Sequence, residues 1–186
     1  DLRAEFPLDN GNAIAFSHDG KLLAYGGHSG TIILKDRSSK RDSFNLRCGS
    51  STVISLIFNP DDSLLASGHG DGMIRIWDLK RGILKTELAG HERRATKLAF
   101  SPTGDSLLSV SDEDGTLRIW SVEHDRGYGI VRQFSKAETT VNRADAVRCF
   151  SLSADGRRLA VACQDEDDNF EVLTWKLDGP SMESQW

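Results

Sequence analysis

Five histidines, at positions 18, 28, 69, 91 and 124, are the residues best placed to bind a metal or move a proton near neutral pH. No His-Glu-x-x-His pattern joins any two of them, and no pair stands at ligand spacing along one strand. His28 and His69 fall in corresponding turns, yet no third ligand accompanies them, so they read as ordinary turn residues rather than a shared metal site. The acidic runs Asp112-Glu113-Asp114 and Asp165-Glu166-Asp167-Asp168 have the composition of cation loops without EF-hand spacing, and read as solvated hairpin turns. Serines are plentiful, but no Gly-x-Ser-x-Gly elbow lifts one above a sheet. No phosphate-binding loop of the Gly-x-x-x-x-Gly-Lys-Ser/Thr type occurs. The chain is therefore expected to be no enzyme, with no catalytic residue, no cofactor and no metal.

The elements that carry these residues follow from composition and pattern. The chain has 186 residues, 38% hydrophobic and 27% charged, with a net charge of −5. That length suits one domain, which buries roughly 70% of its unfolded surface. Seventeen Gly against four Pro point to many tight turns. No apolar run approaches the roughly 20 residues of a membrane helix, so no membrane partner is expected. The mild acidity argues against a dedicated nucleic-acid binder, which needs a basic excess to displace counterions. Cys48, Cys149 and Cys163 cannot all pair and form no C-x-x-C, which favours a reducing, intracellular setting, cytoplasmic or nuclear. The opening Asp1-Leu2-Arg3 lacks an initiator Met, and the chain is expected to be cut from a longer one.

Self-similarity organises the whole sequence. Segments 14–36, 56–78, 98–121 and 150–176 line up, with Phe16, Phe58 and Phe100 spaced by 42 residues and Leu152 following after 52. The longer last step places an insertion of about ten residues within 121–145. Apolar residues alternate in Leu22/Ala24, Ile32/Leu34, Ile74/Ile76 and Leu117/Ile119, so each unit reads as strands. Upstream of the Phe position, Val53/Leu56/Phe58, Ala95/Leu98/Phe100 and Val147/Phe150/Leu152 step by three and then two, as a β-bulge would require. A further, less patterned strand follows each Trp position, as at 83–88.

Gly90-His91, Ser67 with Asp71 and Trp77-Asp78, and Ser109 with Asp114 and Trp120 complete the pattern. In these residues the chain resembles the WD-repeat β-propeller family. The resemblance implies an all-β fold of about four blades, each of four antiparallel strands. Repeats run approximately over 7–47, 48–89, 90–134 and 135–186. It also implies that His91, Ser109, Asp114 and Trp120 form a buried hydrogen-bonded tetrad, which satisfies a carboxylate taken out of water. The other units depart from it. The second keeps Ser67, Asp71 and Trp77 but has Cys48-Gly49-Ser50 in place of Gly-His. The first has Ser29 and Lys35 for Asp and Trp, and the fourth has Val161 for Ser. Those three blades are expected to rest on apolar packing and to open more readily than the third.

Two closures fit the repeat count. Residues 2–6 could complete a four-bladed ring; the preferred reading makes the chain part of a larger propeller of about seven blades. Either way the resemblance gathers one rim from His28, Ser51, Thr52, His69, Gly70, Glu92, Arg93, Arg94, Glu113, Asn142 and Arg143. Arg93, Arg94 and Arg143 could clamp an acidic or phosphorylated peptide by bidentate hydrogen bonds. The insertion, with Tyr128 among several basic residues, reads as a partner-contact loop. The expected function is a non-catalytic scaffold or adaptor that binds proteins or peptides through rim loops. The alternative is the sensor or regulatory propeller of a larger signalling enzyme (ATPase, kinase or ubiquitin-ligase receptor) whose catalytic part lies elsewhere.

Overall fold

The structure is a computed structural model that describes residues 13–37, 42–47, 49–122, 129–134, 146–164 and 170–177. All regular structure among these residues is β. The first sheet contains, in spatial and chain order, β1 (Ala13–Phe16), β2 (Leu22–Gly26), β3 (Thr31–Asp36) and β4 (Asp42–Arg47). The second contains β5 (Val53–Phe58), β6 (Leu64–His69), β7 (Ile74–Asp78) and β8 (Ile83–Leu88). The third contains β9 (Lys97–Phe100), β10 (Ser106–Ser111), β11 (Thr116–Ser121) and β12 (Gly129–Phe134). Three described strands make the fourth sheet: β13 (Ala146–Leu152), β14 (Arg158–Gln164) and β15 (Phe170–Lys176). Every neighbouring pair is antiparallel, so each sheet is a meander that short turns can connect.

Period-two alternation divides each sheet into two faces. Leu65 pairs with both Phe58 and Trp77, and Ser67 with Leu56 and Arg75, which puts all six residues on one side of the second sheet. Ala66 and Ile76 occupy the other. The first side packs with Ile32, Leu34 and Leu46 of the first sheet. The second packs with Leu107, Trp120 and Val122 of the third. Leu108, Val110 and Ile119 then meet Leu159, Val161 and Trp175 of the fourth. Each of these large side chains contributes about 1.5–3 kcal/mol when buried. The outward faces of the two end sheets expose Ile14 and Phe16 at one end and Phe170 and Val172 at the other.

Bulges are more regular than the sequence indicates. A register shift occurs between Val53 and Ser55 and between Val147 and Cys149, as expected. In the third unit, however, β9 starts at Lys97, and Ala95 lies before the strand; its neighbour Thr96 donates its N–H to Val110 O at 2.9 Å. A second set of shifts falls at Leu34/Lys35, Ile76/Trp77 and Ile119/Trp120, the Trp position of each of three sheets. The outermost strand thus carries one extra residue opposite that position and twists away. Residues 129–134, read above as part of an inserted loop, are the outer strand of the third sheet. Residues 2–6, 123–128 and 135–145 lie outside the described residues.

Candidate functional site

In the third sheet, strands β10 and β11 bring Ser109 and Trp120 to one face, and the segment entering β9 brings His91. Trp120 Nε1–H donates to Ser109 Oγ at 2.7 Å, and Ser109 Oγ lies 2.7 Å from His91 Nε2. His91 Nδ1 is 3.0 Å from Asp114 Oδ2. With the proton on Nδ1, these groups form one donor chain from indole through hydroxyl and imidazole to carboxylate. Burial alone would raise the Asp114 carboxyl. Hydrogen bonds from His91 and from the Thr116 hydroxyl and N–H outweigh it and hold the group at about 2, against an ordinary 3.8. The Glu92 N–H, donating to Asp114 at 3.0 Å, fixes the loop above.

The second sheet has a relay of its own. Trp77 Nε1–H donates to Ser67 Oγ at 2.9 Å, and His69 Nε2 stands 2.8 Å from the same oxygen. His69, expected on the rim, is instead fully buried. It enters from the same strand two residues beyond Ser67, so alternation aims both at one face. It supplies the imidazole that Cys48-Gly49-Ser50 does not, which corrects the expectation that this blade rests on apolar packing alone. Its Nδ1 faces the Ser51 carbonyl at 3.5 Å rather than a carboxylate. Burial and the nearby Arg75 charge push the His69 pKa down to about 4 from 6.5, so the ring is neutral.

Asp71, released from the imidazole, pairs with Arg75 Nη2 at 3.1 Å, and Glu87 takes Arg75 Nε at 2.7 Å. Sequence reasoning passed over Arg75 and Glu87. Their contact follows from the β7–β8 register, which sets Arg75 directly opposite Glu87. The equivalent Arg118 of the third sheet is also buried, with Gly90 lying against its guanidinium.

The rim is formed by β2–β3-type turns and the loops entering the next sheet. His28 is exposed, with Nδ1 3.5 Å from Thr52 Oγ1. Ser51 Oγ accepts the Asp71 N–H at 3.1 Å, and Thr52 O accepts the Gly70 N–H at 2.9 Å, tying adjacent loops together. Gly72, at φ +80°, presses against the same kind of loop one blade on: a Cβ there would lie 2.4 Å from His91 O. Glu92, Arg93, Arg94 and Glu113 are exposed, and Arg94 is ion-paired with Glu113. Asn142 and Arg143 lie outside the described residues. The arrangement offers fixed, exposed, mixed-charge groups above a buried polar relay. Among the described residues no three His, Cys, Asp or Glu side chains gather as a metal site would require, and no helix is long and apolar enough to cross a membrane.

A family model described as "WD domain, G-beta repeat" matches residues 10–36, 42–78 and 82–121. The chain is similar to WD repeat-containing protein 75 of Danio rerio, 27% identical over 178 residues, which cover 91% of this chain and 20% of that protein. It is 32% identical to WD repeat-containing protein SL1-17 of Schistosoma mansoni over 49% of this chain and 30% of the relative. Human WD repeat and SOCS box-containing protein 1 is 38% identical over 47% of this chain and 21% of its own length. The chain spans less than a third of each of these curated relatives.

Proposed function

The chain belongs to the WD-repeat family, and on that footing we propose that it is a non-catalytic protein-interaction platform working inside the cell, whose docking surface is the rim bearing His28, Ser51, Thr52, Arg93, Arg94 and Glu113. The family is a protein-binding one, and its repeats as a rule carry no chemistry of their own. The observation that carries the assignment to this rim is its stiffness. Backbone bonds join Val53 to Gly27 and Ala95 to His69 across blade boundaries, and Gly70 to Thr52 within the second blade, so exposed side chains are held before a partner arrives. Little ordering cost then remains to be met on binding. Arg93 and the Arg94–Glu113 pair favour an acidic or phosphorylated peptide, whose anionic group would take over Arg94 from Glu113.

The test is affinity capture with the full chain and with the double variant Arg93→Glu/Arg94→Glu, followed by binding of phosphorylated and unphosphorylated peptides from the captured proteins. Loss of the phosphorylated or acidic peptides in the variant is expected. Recovery equal to that of the unaltered chain would refute the rim. A second reading makes the chain the regulatory propeller of a longer signalling protein. It is favoured by the small share of each relative that the chain spans, and a full-length reading frame with catalytic motifs would establish it.

A further inference from the structure

At the end of the molecule opposite His28 and Arg93, the turns that follow the innermost strands surround two concavities that meet at Ser101 and Leu152. The inner one, about 460 Å³, is walled by Phe100, Phe150, Leu152, Pro60 and Pro102. The outer one, about 370 Å³, follows the seam between the third and fourth sheets, with Leu177 beside Asp105, Asp155 and Arg157. Together they make a track from the convergence of the inner strands toward the outside of the seam.

Both concavities have apolar walls, aromatic and proline in the inner one and Leu108, Ile119, Leu152 and Leu177 in the outer, where Asp105 and Asp155 also stand. The inner part leaves Pro60 and Pro102 exposed and Phe150 half-buried, a surface that an apolar side chain would cover favourably. Each surrounding turn carries a carboxylate, offset in the first by the ion-paired Lys21 and in the last by Arg157. Asp105 and Asp155 line the outer part, while Asp19 and Asp61 adjoin the lining residues His18 and Pro60. Lys21 hydrogen-bonds Asp19, Ser63 bonds Asp61 and Ser153 bonds Asp155, and each carboxyl is thereby held below the ordinary carboxylate range. Against these, Arg157 is the one Arg or Lys among the described residues that line either concavity. Turn contacts to Asp61 and Asp155 go to Oδ1, so Oδ2 is available to a further donor.

We propose that this track is a second docking groove, which takes a short segment of a partner protein with an aromatic or leucine side chain in the inner concavity and an adjacent lysine or arginine against Asp105 and Asp155. It rests on the reading of the chain as a protein-binding platform and adds a surface of opposite charge preference at the other end. Fixed carboxylates attract and orient a basic segment, and the apolar floor supplies its hold.

A library of immobilised short peptides, probed with the full chain and then measured in solution by fluorescence anisotropy, tests the groove. Peptides pairing an aromatic or leucine residue with Lys or Arg are expected to be retained. Ala154→Arg, on the exposed wall, is expected to weaken them by about tenfold or more by blocking the mouth and repelling cations. Arg93→Glu should leave them unchanged. Circular dichroism melting checks the variant's fold, and Ser151→Arg on another exposed part of the wall replaces it if the fold is lost. No retention of this basic and apolar class, or an affinity for it that the wall variant leaves unchanged, overturns the groove, whereas acidic peptides held through Arg93 bear on the rim alone. Peptides of the basic and apolar class that are lost with Arg93→Glu and kept with Ala154→Arg overturn the groove and place their binding on the rim.

Discussion

The Asp62 carboxylate reaches across to the β1–β2 turn of the neighbouring blade, where it accepts the His18 backbone N–H at 2.8 Å and stands 2.9 Å from His18 Nδ1. The Asp19 N–H joins at 3.0 Å. Asp62 adopts φ +58°, and the equivalent turn positions in the next two blades are Gly104 at +80° and Gly156 at +69°. Those glycines pack against Pro60 and Pro102, which have no N–H to donate. His18 has one, so a carboxylate is useful at this one seam.

Replacing Asp62 separates the two effects. Asp62→Gly loses the three contacts but relieves the left-handed backbone. Asp62→Ala loses the contacts and keeps the strain. Urea unfolding should rank the original chain above Asp62→Gly, and Asp62→Gly above Asp62→Ala by about 1 kcal/mol. An alanine variant as stable as the glycine one would remove the strain argument.

His69 gives the molecule a pH signature. Its folded pKa of about 4 lies below the ordinary 6.5, so the unfolded chain takes up the proton first as pH falls. The contribution is fully present above pH 6.5 and drains as pH drops toward 4. The total is on the order of 3 kcal/mol. His69→Gln, which does not titrate, should flatten the stability-versus-pH curve across that window relative to the original chain. Parallel curves would show that the ring is not held neutral.

Ser109 serves two buried groups at once, the Trp120 indole and the His91 ring. Ser109→Ala strands both, and should cost about 2–3 kcal/mol in chemical denaturation. Asp114→Asn acts in a different way. With its carboxyl at about 2 instead of 3.8, Asp114 contributes above pH 3.8 and loses that contribution as acid drives it through 2. The variant should be less stable near neutrality and lack that part of the acid limb. Equal acid limbs in the two proteins would refute the assignment.

Gly72 and Gly49 share a left-handed backbone but not their surroundings. A Cβ on Gly49 would meet nothing within 4 Å, whereas on Gly72 it would lie 2.4 Å from His91 O. Gly49→Ala should cost about 1 kcal/mol and Gly72→Ala clearly more, because a loop must move as well. Thermal melts of the two variants make the comparison, and equal losses would show that the loops above Gly72 yield freely.

Much of the fold was legible in the sequence. Alternation such as Ile74/Ile76 and Leu117/Ile119 demands strands with a buried side, and the 42-residue spacing of Phe16, Phe58 and Phe100 demands repeated sheets. His69 was harder, although a signal existed: its place two residues after Ser67 puts both on one face. The third repeat carries its imidazole, His91, in the loop before the blade, whereas the second carries it within the strand. Asp62 was illegible because a positive φ at a non-glycine residue leaves no mark in composition. Arg75 and Glu87 meet across strands whose pairing is shifted by the bulge at Trp77, and no local pattern reports such a shift.

The seams between sheets all have the same handed order: the side bearing Trp77, Trp120 or Trp175 meets the preceding sheet, and the opposite side meets the following one. The blades therefore lie like roof tiles laid in one direction. A duplicated segment spliced into the array would find a fitting surface on both flanks only when it comprises a whole period cut at equivalent points. Half a period would supply a sheet of two strands that covers only part of each neighbouring face, so lengthening or shortening of such a chain proceeds by complete tiles.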